Sequence, residues 1–220
     1  MRTQIDHLVI AATDIERGVQ HARSILGVEL PQGGVHPKMG THNHLMRLGE
    51  EMFLEVIAIN PDGEPPSRPR WFGFDDPAVR ERLEQEPAFL TWVVNTDDIH
   101  ALMKQAAISF GVAEPVSRGN LNWQFGLPRD GRLLAGGMLP YVIEWETETH
   151  PASGMADLGC TLQRLTIEHP NAHWLTSVLD SIGAAHLVEV VQGKVGTVPV
   201  MTATIMTPDG EKTLSSLKGQ

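Results

Sequence analysis

The sequence predicts an α+β protein made of repeated βαβββ modules. Their strands should curve into one sheet around a concave cup, with a partial third module, βαββ, at the C-terminal end. Three observations point there. Apolar, β-branched runs of strand length alternate with stretches of helical spacing. The pattern of residues 5–22 returns at 88–107, where Asp98-Ile99 matches Asp14-Ile15 at an offset of 84 (98 minus 14). A third cycle opens near residue 162.

The first module covers residues 1–60. "IDHLVIAA" (5–12) is a buried strand. "TDIERGVQHARSILG" (13–27) is a helix, with Thr13 or Asp14 as cap, Ile15, Val19, Ala22 and Leu26 at helical spacing, and Gly27 as its stop. "GVELPQGG" (27–34) reads as a short strand and turn. "THNHLMRLG" and "MFLEVIAI" are two strands joined by a tight polar turn at Gly49–Glu51.

Residues 61–87 begin Pro-rich and read as a connector with a short helix at 76–85. The second module, 88–150, opens with a strand and helix in "AFLTWVVNTDDIHALMKQAA". It continues with strands in "FGVAEPVSRG", "LNWQFGLPRDG" and "LPYVIEWET", and its "YVIEW" echoes "FLEVI", each holding one Glu inside an apolar strand. The third unit, 151–220, offers a strand (162–170), a capped helix (171–183) and two further strands. A lone module would leave one apolar sheet face bare, so the units are expected to pack together.

Composition narrows the function classes. A net charge of −10 over 220 residues argues against nucleic acid or an anionic membrane as a partner. No apolar run approaches the roughly 20 residues of a membrane span. The single cysteine, Cys160, cannot form an internal disulfide, and the N-terminus enters a strand directly without a secretory signal. A cytoplasmic location is the expectation. There is no phosphate-binding Gly-rich loop with a Lys and no G-x-S-x-G nucleophile turn.

Strand alternation sorts the candidate residues. Ile5, His7 and Val9 share one face of the first strand; Phe53, Glu55 and Ile57 share one face of the fourth. If both faces line the cup, His7 and Glu55 form a His/carboxylate pair suited to a divalent ion. A strand histidine can equally be a satisfied core residue. Glu55 is harder to dismiss, because a carboxylate in "MFLEVIAI" is costly unless paired or solvated.

The dense run "VHPKMGTHNH" (35–44) depends on register. A three-residue loop at 49–51 pairs Leu45 with Glu55 and turns Asn43 into the cup. A two-residue turn pairs His44 with Glu55 and turns the histidines in. His36, before Pro37, reads as an exposed loop histidine. Arg70-Trp71 either clamps a substrate or packs between modules, and Trp123 and Trp145 are pocket wall or core.

In this order, "DHLV", "GTHN", "LEVIA" and "LPYVIEW…HP" resemble the glyoxalase-like domain family. That family belongs to the vicinal oxygen chelate superfamily, with glyoxalase I, extradiol dioxygenases and fosfomycin-resistance proteins, and the resemblance covers most of residues 4–150. It implies metal ligands on strands one and four of each module: His7 and Glu55 in the first, Glu144 in the second. The position matching His7 in the second module (7 plus 84) is Thr91, a poor ligand, so the four-ligand pattern is broken; His150 and His169 are candidates for the missing donor.

The implied ion is Zn, Fe, Mn or Ni, acting as a Lewis acid on two neighbouring oxygens, with Glu144 as proton shuttle. The implied function is a metal-dependent lyase, isomerase or dioxygenase acting on a small vicinally oxygenated molecule. The alternative is a metal-free protein that sequesters a small molecule in the same cup. "GTHN" implies Asn43 inward, and His42, Arg70 and Trp123 complete the expected substrate contacts. The C-terminal unit would cover a sheet edge or pair with a second copy as a homodimer.

Overall fold

The computed structural model describes residues 2–216. The first module runs β1 (Thr3–Ala12), α1 (Ile15–Leu26), β2 (Gln32–His36), β3 (Thr41–Gly49) and β4 (Met52–Ile59). After a connector carrying α2 (Pro77–Gln85), the second runs β5 (Ala88–Thr96), α3 (Ile99–Gln105), β6 (Val112–Arg118), β7 (Leu121–Leu127) and β8 (Tyr141–Trp145). The C-terminal unit is β9 (Thr161–His169), α4 (Ala172–Ser181), β10 (Glu189–Gln192), β11 (Val200–Thr207) and β12 (Gly210–Ser215).

Local chemistry sets the helix ends. The Asp14 side chain accepts the Arg17 N–H at the start of α1, and Gly27 closes the helix at φ 74° with its N–H on the Arg23 carbonyl. Asp98 repeats the cap on α3 by accepting from Ala101. Gly18 lets α1 lie close against the sheet: a Cβ there would sit 2.7 Å from Val56 Cγ1 and 3.0 Å from Ala12 Cβ.

The two modules form one eight-stranded sheet in the order β2-β3-β4-β1-β5-β8-β7-β6. Within each module the first strand runs parallel to the last, and the modules join through the antiparallel β1–β5 pair. That pair has two irregularities, leaving Asp6 unmatched on β1 and Leu90 unmatched on β5. Their separation is again 84 (90 minus 6), so the bulges are counterparts under the internal repeat. The outer strands β2 and β6 approach each other across the mouth of the curl. There Lys38 Nζ donates to the Pro115 carbonyl at 2.9 Å and pairs with Glu114 at 3.1 Å.

Each face of the sheet has its own core. Leu8, Ile10, Leu54, Val56, Trp92, Val94 and Val142 pack under the helices, continuous with Leu165, Ile167, Leu175, Ala203 and Ile205 of the C-terminal unit. The concave face carries Val9, Ala11, Ile57, Val93, Phe125 and Tyr141, joined by Trp71, Phe72 and Phe74 from the connector.

The C-terminal unit forms a separate four-stranded sheet, β10-β9-β11-β12. It contains the expected β-α-β-β run and goes one strand further, because Pro208-Asp209-Gly210 turns the chain back into β12. Its order also differs from the modules, since β9 lies between β10 and β11 rather than beside the last strand. The strand expected within 27–34 lies later, at Gln32–His36. No helix among the described residues is long and apolar enough to cross a membrane.

Candidate functional site

A narrow pocket, partly open to solvent, lies on the concave face. The first module supplies most of its polar groups: His7 from β1, His36 at the end of β2, Asn43 from β3 and Glu55 from β4. Arg118 comes from β6 of the second. Its walls are apolar and aromatic, including Phe53, Trp71, Trp123, Phe125 and Trp145.

The bulge at Asp6 changes what β1 presents. Neighbours in a regular strand point to opposite faces, but an extra unpaired residue breaks the alternation. Asp6 and His7 therefore meet: Nδ1 of His7 lies 2.5 Å from Asp6 Oδ1. Asp6 is fully buried, and its second oxygen accepts from Trp145 Nε1 at 2.7 Å and from His150 Nε2 at 2.9 Å. Burial pushes this carboxyl up, but the hydrogen bonds from His150 and His7 and the charge of those rings outweigh it and hold it at about 2.

Asp6 is thus an ionised acceptor, which fixes the protons around it. His7 donates from Nδ1, and its Nε2 lies 3.6 Å from Glu55 Oε2. His150 donates from Nε2 and accepts the Ala152 N–H on Nδ1 at 3.2 Å. The His7 ring also stacks on Phe53, with centroids 4.4 Å apart.

Asn43 reaches the pocket because β3 and β4 pair Leu45 with Glu55. The register comes from a two-residue turn at Glu50-Glu51 plus an unmatched Leu48, which together do what a three-residue loop would. Asn43 Nδ2 donates to Glu55 Oε1 at 2.5 Å, while its Oδ1 accepts from Gly34 N at 2.8 Å and Arg118 Nη1 at 3.3 Å. His36 is buried: Nδ1 meets Thr41 Oγ1 at 3.1 Å and Nε2 meets Arg118 Nη1 at 3.4 Å. Its pKa falls to about 3 through burial, then the charge of Arg118 and the nearby His7 and His42.

Several expected site residues lie elsewhere. Glu144 is on the helix-side face of β8, where Oε2 accepts the Ile99 N–H at 2.8 Å and caps α3. The reason is register. β8 pairs Tyr141 with Val93, and Val93 repeats Val9 (93 minus 84), the partner of Glu55 on β4. Tyr141, not Glu144, therefore holds the position equivalent to Glu55. It is fully buried, donates its hydroxyl to the Arg132 carbonyl at 2.7 Å and accepts from Phe72 N at 3.2 Å, and burial raises its pKa.

His42 and His44 face away from the pocket, with His44 Nδ1 against the Leu30 carbonyl at 2.8 Å. Arg70 is turned onto Asp75 at 2.7 Å and does not line the pocket; its neighbour Trp71 does. Trp123 lines the pocket. His36, read as exposed, is inside. Asp6 and Arg118 are not among the expected site residues: regular alternation turns Asp6 away from His7, and Arg118 lies on the far module.

The donor set was tested against the divalent ion that the resemblance implies. His7 and Glu55 supply two donors. Thr91 donates its hydroxyl to the Gly137 carbonyl at 3.2 Å, Glu144 caps α3, and His169 Nδ1 receives the Asn171 N–H at 3.0 Å. His150 spends both ring nitrogens within the protein. No group of three His, Cys, Asp or Glu residues suited to an ion forms among the described residues, and the Arg118 cation shares the cavity. These residues do not fit such an ion.

Comparison with known proteins places this geometry. The model of the family described as "Glyoxalase-like domain" matches residues 5–183. Among solved structures, the chain is similar to a hypothetical protein from Staphylococcus aureus, with a TM-score of 0.60 and 15% identity over 100% of this chain and 87% of that one. It is also similar to methylmalonyl-CoA epimerase from Mycobacterium tuberculosis, with a TM-score of 0.40 and 16% identity over 64% of this chain and 86% of that one. No curated protein matches the chain.

Proposed function

This chain belongs to the glyoxalase-like domain family, and from that premise we propose that it is an enzyme of the lyase or isomerase kind that moves a proton on a small oxygenated molecule with an apolar body. The observation that carries the reading is the Asp6–His7–Glu55 line at the wall of an aromatic pocket. Asp6 holds the His7 ring in one tautomer and orientation. The Nε2 lone pair then faces the cavity as a general base.

In the step we envisage, Nε2 takes a proton from a carbon beside a carbonyl, and the C–H electrons pass to the carbonyl oxygen. The Arg118 guanidinium, in the same cavity, favours that developing negative charge. The proton returns from His7 to the same or the neighbouring position. Glu55, fixed by Asn43, lies within reach of the same proton and offsets the charge that His7 gains. No metal-assisted step is included, because the donor set above does not fit one.

The test is proton exchange in D₂O, followed by proton NMR, on small 2-oxo and 2-hydroxy carbonyl compounds. Exchange beyond the buffer rate, lost in His7→Gln, supports the proposal. If no compound exchanges, or His7→Gln exchanges as well as the parent, the proposal fails. The same assay with added Zn²⁺, Mn²⁺ or Fe²⁺ tests the metal-dependent reading. A second reading, sequestration without chemistry, draws on the mostly apolar lining of the pocket; binding without exchange would favour it.

A further inference from the structure

We infer that the molecule taken up by this pocket is a short carboxylic acid, its carboxylate on Arg118 and its reacting carbon within about two bonds of that carboxylate. The inference rests on the pocket proposed above being the substrate site, and it names the substrate class.

Arg118 carries the argument. It is a partly buried guanidinium that forms no ion pair among the described residues. Only Nη1 has acceptor partners, Asn43 Oδ1 at 3.3 Å and His36 Nε2 at 3.4 Å, both long and both neutral. The remaining donors of the fork are left for a ligand, and the planar fork matches a carboxylate.

A second observation is independent of the first. Trp71 lines the same pocket and is buried, and its Nε1–H has no hydrogen-bond partner. A buried donor without an acceptor is costly, so an oxygen-bearing ligand is the expected complement. The two residues have a common neighbour, the neutral His36 ring, which contacts Arg118 and packs edge-on against Trp71 at 5.0 Å.

Asn43 sets the length. One side-chain amide spans the gap, touching Arg118 through Oδ1 and Glu55 through Nδ2. A carboxylate on the guanidinium therefore leaves room for only one or two carbons before the ligand meets Glu55 and His7. The rest of the molecule extends among the aromatic walls. The two glycines of β2 make the approach possible: a Cβ at Gly33 would lie 2.3 Å from Asn43 Oδ1, and one at Gly34 would lie 2.9 Å from Arg118 Cδ.

Pyruvate, 2-oxobutanoate and 2-oxo-4-phenylbutanoate, each beside its methyl ester, are suitable probes. Binding is read by calorimetry and exchange by proton NMR in D₂O. At least one acid should bind about tenfold to a hundredfold tighter than its ester. Arg118→Met should abolish that preference, with Arg118→Gln as the second variant should the first fail to fold. Arg118→Lys should restore part of it.

Acid and ester binding alike, no acid binding at all, or an unchanged preference in Arg118→Met would each overturn the inference. His7→Gln separates the two proposals. It should keep the preference for acid while losing exchange, so a preference without exchange in the parent sinks the proton-transfer reading and leaves the carboxylate inference standing.

Discussion

Asp6 and His7 are consecutive residues of one strand, yet their side chains meet at 2.5 Å on the same side of the sheet. The bulge at Asp6 makes this possible and supplies a fully buried carboxylate behind the imidazole. Asp6→Asn keeps the shape but offers only one acceptor where three donors now converge. The expected outcome is a fall of about 10²- to 10⁴-fold in proton exchange with a loss of about 1–3 kcal/mol in stability. Exchange kinetics and urea unfolding check the two separately; exchange unchanged in a well-folded variant would remove Asp6 from the chemistry.

Acid stability should reflect His36. Its folded pKa lies at about 3 against 6.5 for the free ring. Above pH 6.5 the ring is neutral in both states and contributes nothing. As the pH falls from 6.5 towards 3, only the unfolded chain takes up the proton, so stability drops through this window. Asp6 acts below it, since its contribution is present above 3.8 and is lost as the pH falls towards 2. His36→Gln should flatten the decline between pH 6 and 4. Denaturant midpoints measured across that range decide it, and a parallel decline in the variant would assign it elsewhere.

Gly18 is a packing requirement rather than a turn. Gly18→Ala places a methyl 2.7 Å from Val56 Cγ1 and must push α1 off the sheet, although Ala is the better helix former. A loss of about 1–3 kcal/mol is expected. A higher melting temperature in the variant would contradict the close approach.

Glu144 should matter to α3 and not to turnover. Glu144→Gln replaces an anionic acceptor at the helix start with a neutral one, at a cost of about 0.3–1 kcal/mol. Exchange rates should match the parent. A large loss of activity with little loss of stability would return Glu144 to the site.

Much of the fold was legible because it rests on patterns the chain displays openly. The offset of 84 relating Asp14 to Asp98 also relates the two bulges, and of the two cap candidates, Thr13 and Asp14, it is Asp14 that caps α1, with its repeat Asp98 capping α3. His7 and Glu55 could be paired because simple alternation holds on β4 and resumes on β1 after the bulge.

Alternation alone does not reveal the bulge, and without it a regular strand would turn Asp6 away from His7. Glu144 was misplaced because "YVIEW" and "FLEVI" look alike, whereas pairing aligns Tyr141 with Glu55. Arg118 was hidden by distance: it reaches Asn43 across 75 residues, only because the sheet curls until β2 and β6 meet.

Tyr141 gives the duplicated architecture a division of labour. A chain built twice over could hold two equivalent reactive centres, but the second is occupied by Tyr141, Phe72 and Phe125 packed ring against ring. Titrations should therefore saturate at one ligand per chain. The second half serves as the rigid abutment against which the first keeps Asp6, His7 and Glu55 in place, and it lends that site one group of its own, Arg118.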